Sequence, residues 1–441
     1  MFAALEHLRT RTLLPVRPVE IVTMTTSDGV TLVADLWQPE GDGPWPVLLM
    51  RQPYGRRIAS TLTYAHPAWY AAQGYVVVIQ DVRGTGDSGG SFRLFAHDIR
   101  DGAEAVAWAA ALPQATGRVG MYGFSYQGNS QLLALAGGAP ALKALCPAMI
   151  GWTIQDDWAY DGGAFCLAAG MGWALQLATE QARRAGDAEA HSALIAAARA
   201  LPLSGPVPAM PEILRRYAHL THYDDWLAHP QFDDYWRAIS PAGQLADHPL
   251  DVPMLHIGGW YDGMLLGTLN GYRAIAARSP APQHLVIGPW THFPWSRRVG
   301  AADFGEQAIS VIDYHQIAWF DRFLKDLDNG IDHEAPVQLF DLVTKDWHGS
   351  TSLPAPAPHS WYLSSQGLAV ATLEDGSLSP MLPAAPGADW LVHDPWRPAP
   401  SFGGHHGPPN GMQDRAALDG RADIACYTSA PLTVPLTLAG D

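Results

Sequence analysis

The stretch RVGMYGFSYQGNSQLLAL, residues 118–135, decides how the chain is read. Val119–Tyr122 is short and apolar, as a buried strand is, and the run beyond Gly128 has helical composition. Between them stands Gly123-Phe124-Ser125-Tyr126-Gln127-Gly128, so the pattern is strand, sharp turn and helix with a serine at the apex. An apex residue in such a turn is held at strained backbone angles, and the close approach of strand to helix leaves no space for β-carbons at positions 123 and 128. The turn exposes the Ser125 hydroxyl at the top of a sheet. It also aims the Tyr126 amide and the helix N-terminus at the point where an oxyanion would form.

A serine so placed requires an acid and then a histidine, each on a loop after a later strand. MLHIGGWYDG places Asp262 just past Met254–Ile257, and HLVIGPWTHF places His292 just past Leu285–Ile287. His256 and His284 lie inside or at the start of those strands, where a histidine completes packing more often than it reaches a substrate. The expected roles follow from chemistry. Ser125 is the nucleophile, His292 the base that takes its proton, and Asp262 the group that holds the imidazole in the productive tautomer.

A competing serine lies in VIQDVRGTGDSGGSFR, residues 78–93, because GDSGG surrounds the nucleophile of trypsin-like proteases. That fold is all β-structure, with its histidine, aspartate and serine spread over two barrels. Here His66, Asp81 and Ser88 crowd around one apolar strand, Val76–Ile79, which leaves no room for two barrels. The glycines instead fit a tight loop at a strand's carboxyl end, and Ser88 is expected to be structural. That loop lacks the Lys-Ser/Thr ending of a phosphate loop and the dinucleotide pattern, so no cofactor is implied. His405 and His406 have no Cys or carboxylate at ligand spacing, and no metal site is expected.

Outward from these motifs the chain changes grain. Residues 21–150 alternate short apolar strands with helical stretches after an opening hairpin around Ser27–Gly29, which is the pattern of a mostly parallel sheet. In DIRDGAEAVAWAAAL the expected buried stripe is Ile99, Ala103, Val106 and Ala110. Residues 151–250 are helical and rich in tryptophan, with a Pro-rich turn at 201–211. Inserted between sheet strands, they are placed to cap the crevice at the strands' carboxyl ends. The sheet resumes over 251–333. From 334 to 441 short β-type segments separated by Pro, Gly and Ser predict a β-sandwich or jelly roll, apparently incomplete.

Composition sets outer limits. The 441 residues carry a formal charge of −16, with 48% hydrophobic and 16% charged residues. That charge argues against nucleic acid or an anionic membrane as partner. No run of 18 or more apolar residues suggests a membrane span, and with acidic Glu6 ahead of any basic residue and only short apolar runs near the N-terminus, no secretory signal is expected. Cys146, Cys166 and Cys426 are an odd number in apolar or strand-like settings, so reduced thiols and a cytoplasmic location are expected.

MTTSDGVTLVADLWQP, RQPYGRR, QDVRGTGDSGG, YGFSYQG, GGWYD and IGPWTH together resemble the cocaine esterase, α-amino-acid ester hydrolase and X-prolyl dipeptidyl aminopeptidase family (CocE/NonD type) from about Thr23 onward. The resemblance implies an α/β-hydrolase fold with a helical cap insertion and a C-terminal jelly roll. It also implies a second oxyanion donor, the Tyr54 hydroxyl. Family members split esters, dipeptides after proline or β-lactam side-chain amides, and the cap sets the difference. Asp156, Asp157 and Asp161 stand among Trp152, Trp158 and Phe165, and with Trp260 they make a candidate pocket. These carboxylates are candidates to hold a substrate ammonium group or, alternatively, to cap a helix or face water. The short stretch before Ile21 departs from the longer X-prolyl peptidases and favours an esterase or acylase acting on a small ester or amide. A non-catalytic binding module is the alternative from another class, and homo-oligomerisation stays open.

Overall fold

The computed structural model describes residues 5–57, 61–203, 209–355, 360–405 and 410–438. His406 and the middle of the Pro-rich turn, 204–208, lie outside the described residues. The chain divides into two compact units, Met1–Arg297 with Phe304–Thr351, and Arg298–Asp303 with Ser352–Asp441.

The first unit is built on a ten-stranded sheet. Its strands are β1 (Glu20–Thr25), β2 (Thr31–Trp37), β3 (Trp45–Gln52), β4 (Val76–Asp81), β5 (Ala115–Phe124), β6 (Leu142–Ala148), β7 (Met254–Tyr261), β8 (Gln283–Thr291), β9 (Val337–Asp341) and β10 (Asp346–Ser350). Their spatial order is β1-β2-β4-β3-β5-β6-β7-β8-β9-β10. From β4 through β9 every pairing is parallel, while β1, β2 and β10 add antiparallel edges. Every residue of β4 and β8 is buried, as strands covered on both faces must be. The chain leaves β3 for β4 on one side and then returns to place β5 on the other. This reversal of strand order opens a crevice between the carboxyl ends of β3 and β5.

Two expectations change on contact with the structure. The sequence places β9 and β10 in the β-rich module after 334, but β9 pairs in parallel with β8 and β10 closes the edge. The five residues of β9 alternate too little to distinguish a sheet edge from a sandwich strand. The helix Asp98–Ala110 does not bury the predicted stripe as such. Its buried face is Asp98, Asp101, Gly102, Ala105, Val106 and Ala109, with Ile99, Ala103 and Ala110 only partly buried. The reason is electrostatic: Asp98 pairs with buried Arg51 at 2.6 Å and Asp101 with buried Arg83 at 2.8 Å. Charges that are paired and hydrogen-bonded tolerate burial, and apolar periodicity does not register them.

The insertion after β6 is helical, with Leu167–Ala185 and Ala188–Arg199 as its longest elements. Its apolar residues Met171, Ala174, Leu175, Ala178 and Trp226 join one core with Val82, Leu94, Phe95, Tyr126 and Leu133 of the sheet layer. The cap is therefore packed onto the elements around Ser125. In the second unit, Tyr362–Ser364 pairs antiparallel with Ser377–Ser379, and Ser377 bridges to Thr428. We propose a β-sandwich for this unit. No described helix is long and apolar enough to cross a membrane, and the three cysteines are free thiols.

His256 and His284 serve packing, as expected of strand histidines. Both are buried, and burial pushes each imidazole down to about 4. The folded chain keeps them neutral until that pH, whereas the unfolded chain takes up protons near 6.5. Their contribution to stability is therefore complete above about pH 6.5 and is lost as the pH falls toward 4, at about 3 kcal/mol each. His256→Gln is expected to lower by about one proton the slope of unfolding free energy against pH in that window. Urea melts from pH 4 to 8 measure it, and an unchanged slope contradicts the prediction.

Candidate active site

Four sequence-predicted residues stand within two positions of the carboxyl ends of parallel strands. Tyr54 follows β3, Ser125 follows β5, Asp262 follows β7 and His292 follows β8. Parallel strands present their carboxyl ends on one edge, so the topology alone brings these four residues to one rim of the sheet.

Ser125 has φ 60° and ψ −125°, the strained conformation that its place between strand and helix predicts. The helix Tyr126–Ala136 starts at the next residue. At Gly123, with φ +140°, a β-carbon would lie 2.4 Å from Gln127 Cβ, and at Gly128 it would lie 2.6 Å from the Ala148 carbonyl oxygen. The turn is therefore closed to side chains at both positions. Tyr126 turns its ring away from the apex: it stacks on Phe95 at 4.2 Å and its hydroxyl donates to Asp98 at 2.5 Å. What Tyr126 can offer the apex is its backbone amide.

His292 Nδ1 lies 2.7 Å from Asp262 Oδ1. A carboxylate only accepts hydrogen bonds, so Nδ1 carries the proton and Nε2 is left as the base. The Asp262 side chain is fully buried, while that of His292 is about one quarter exposed (26%). The His292 ring packs 5.3 Å from Phe124, the residue before Ser125.

Tyr54 is fixed from two sides. Its amide donates to Gln52 Oε1 at 2.9 Å, and its hydroxyl accepts from Trp173 Nε1 at 3.1 Å. Burial pushes the phenol well up, so it stays neutral, while hydrogen bonds with Trp173 and Ser125 pull the other way. The phenol keeps its proton, and its ring makes a T-shaped contact at 6.5 Å with Tyr126, the residue after Ser125.

Ser88 is 1% exposed, and its hydroxyl donates to the Asp81 carbonyl at 2.7 Å and accepts from the Val33 amide at 2.9 Å. Its hydrogen-bonding capacity is spent on the scaffold.

The candidate pocket residues do not converge as a set. The Asp157 carboxylate accepts from the amides of Trp152 and Thr153, both at 2.7 Å, and burial pushes it up from the usual range. Asp156 and Asp161 are exposed. Trp152 packs against the sheet core beside Gly271. Trp260 donates to the Phe340 carbonyl at 2.7 Å, and Phe165 packs between Tyr160 and Tyr223. Trp158 alone reaches the Tyr54 side of the site, through a T-shaped contact with Trp173 at 4.7 Å. In sequence Trp173 is one of the cap's several tryptophans, any of which could line a pocket, and nothing singles it out. It lies 119 residues from Tyr54, and no local pattern connects them.

A mostly parallel sheet with a serine at a strand–helix turn and a later Asp–His pair defines an α/β-hydrolase. The family model described as X-Pro dipeptidyl-peptidase (S15 family) matches residues 28–294, and the chain belongs to that family. It is 32% identical over 439 residues to the cocaine esterase of Rhodococcus sp. (strain MB1 Bresler), covering 95% of this chain and 75% of that protein. Among solved structures, an aminopeptidase from a marine sediment Thaumarchaeota archaeon is 25% identical with TM-score 0.66, over 88% of this chain and 66% of the other. An α-amino acid ester hydrolase gives TM-score 0.70 at 22% identity, over 97% of this chain and 74% of the other, which supports the fold.

Proposed function

We propose that the protein is a serine hydrolase that cleaves carboxylic esters through an acyl-enzyme. The observation that carries this is the Asp262–His292 hydrogen bond of 2.7 Å on the rim that also holds the strained Ser125. The likeness to a cocaine esterase supports esters as the substrate class. In this reading His292 Nε2 takes the Ser125 proton as the hydroxyl oxygen attacks the ester carbonyl. The Tyr54 hydroxyl and the Tyr126 amide hold the oxyanion. His292 then gives its proton to the departing alcohol, and the same base activates the water that releases the acid.

An acyl group on this rim would meet the cap through Trp158 and Trp173, which favours a neutral, compact or aromatic acid. An α-ammonium group needs a carboxylate partner when desolvated. Asp157 is already committed to two amides and the other two aspartates are exposed, so a neutral acyl group is the better fit. A fluorophosphonate should label the Ser125 peptide, and p-nitrophenyl phenylacetate should be turned over faster than its phenylglycine analogue or a glycyl-proline anilide. A phenylglycine preference above about 100-fold, roughly 2.7 kcal/mol, would replace the neutral-acyl reading. Dominant cleavage of the anilide would replace the esterase reading with a peptidase.

A further inference from the structure

We infer that Trp173, on the cap, is a positioning residue that makes the Tyr54 phenol a hydrogen-bond donor toward the oxyanion, and that the GTGDSGG loop sets the spacing between the two. This rests on the Ser125 chemistry proposed above. An indole N–H can only donate. With Trp173 Nε1 3.1 Å from the Tyr54 oxygen, the phenol accepts there and its own proton must point elsewhere. Tyr54 stands after β3 on the same rim as Ser125, with its ring 6.5 Å from that of Tyr126, the next residue after Ser125, and the oxyanion of an attacked ester forms beside the Ser125 oxygen. Accepting one hydrogen bond also strengthens the phenol as a donor of the next.

Both partners are tethered to one loop. Trp173 is wedged by Trp158 and stacked on Trp226 at 5.5 Å, on the helix Leu167–Ala185. Near its C-terminal end this helix grips residues 84–88. Glu180 accepts from the Gly86 amide at 3.0 Å, Gln181 donates to the Gly84 carbonyl at 3.0 Å, and Arg184 donates to the carbonyls of Gly86 and Ser88. The Tyr54 loop reaches the same segment through Arg56, whose guanidinium binds Asp81 at 2.8 Å and Asp87 at 2.6 Å. Cap helix, loop and tyrosine thus form a closed circuit, completed by the Trp173–Tyr54 hydrogen bond. The motif that looks like a protease signature acts here as a spacer.

A double-mutant cycle tests the assignment. Tyr54→Phe is expected to lower kcat by about 10²- to 10³-fold with little change in KM. Trp173→Phe, which keeps an apolar ring without the N–H, is expected to lower kcat about 10-fold, in line with loss of one hydrogen bond. On the Tyr54→Phe background the tryptophan change should cost less than it does alone, because no phenol is left to orient and only the ring's contact with the acyl group is altered. Equal losses in both backgrounds, or no loss in the single variant, overturn the inference. A second pair, Trp173→His and Trp173→Leu, keeps and removes a ring N–H at similar size; the histidine variant should hold the higher kcat, and equal values overturn the assignment. Fluorophosphonate labelling of Ser125 in each variant separates this outcome from failure of the serine-hydrolase reading, which would abolish labelling in the unaltered protein.

Discussion

Ser125→Ala is expected to abolish ester turnover, with a loss in kcat on the order of 10⁶ as in other triad enzymes stripped of their nucleophile, while the protein stays folded. The substitution removes one oxygen at a turn whose shape is set by Gly123 and Gly128 and by the Ser125 amide, which donates to the Ala148 carbonyl at 2.9 Å. None of these depends on the hydroxyl. Ser88→Ala is the matched control and should behave oppositely. Removing that hydroxyl leaves the Asp81 carbonyl and the Val33 amide short of a partner in a buried loop, at a cost of roughly 1 to 3 kcal/mol of stability. The same loop anchors the cap helix and Arg56, so a small fall in kcat is also expected. Steady-state turnover of a p-nitrophenyl ester, read beside a thermal melt, separates the two serines. An active Ser125→Ala enzyme with a folded but inactive Ser88→Ala enzyme would reverse the assignment.

The contrast between these serines shows what a sequence discloses. Ser125 was legible because strand, glycine, serine and helix are contiguous, and the turn they form is local. Asp262 and His292 were legible because a parallel sheet sends each strand end to the same rim, so a position in sequence fixes a position in space. Tyr54 came only through family resemblance, since a tyrosine after a strand carries no signal of its own. The aspartates of the cap left two readings open in sequence, an ammonium site or a structural and solvent-facing role, and their placement agrees with the second. Three residues within six positions point in different directions, with Asp157 turned inward onto two amides and Asp156 and Asp161 turned to solvent. Burial of Asp98 and Asp101 escaped the periodicity argument because their arginine partners, Arg51 and Arg83, are far away in sequence. The pairing of Trp173 with Tyr54, 119 residues apart, was hidden for the same reason. Chemistry that depends on a long-range partner is written in the fold.

Asp262→Asn is expected to lower kcat about 10⁴-fold, near 5.5 kcal/mol of transition-state stabilisation, with the fold intact. The side chains are nearly isosteric and the site is fully buried, so packing is preserved. What changes is the hydrogen bond at 2.7 Å to His292 Nδ1. The carboxylate accepts there and stabilises the imidazolium that forms as Ser125 gives up its proton. An amide nitrogen facing Nδ1 would donate, driving the ring proton to Nε2 and leaving no base toward Ser125. An amide oxygen facing Nδ1 keeps the tautomer but supplies no charge, and it turns the NH2 group to the position of Oδ2, which has no hydrogen-bond partner among the described residues. Burying an unpaired donor is costly, so the first orientation is favoured. KM should change little, because the pair acts on the transition state and does not bind the ground-state ester. His292→Ala should fall at least as far, and the double variant should be no worse than His292→Ala alone, since the aspartate acts only through the imidazole. Rates of fluorophosphonate labelling give the same ordering without turnover. An Asp262→Asn enzyme within about 10-fold of the unaltered kcat, a difference under 1.4 kcal/mol, would mean that another group orients His292 and that the 2.7 Å contact is structural.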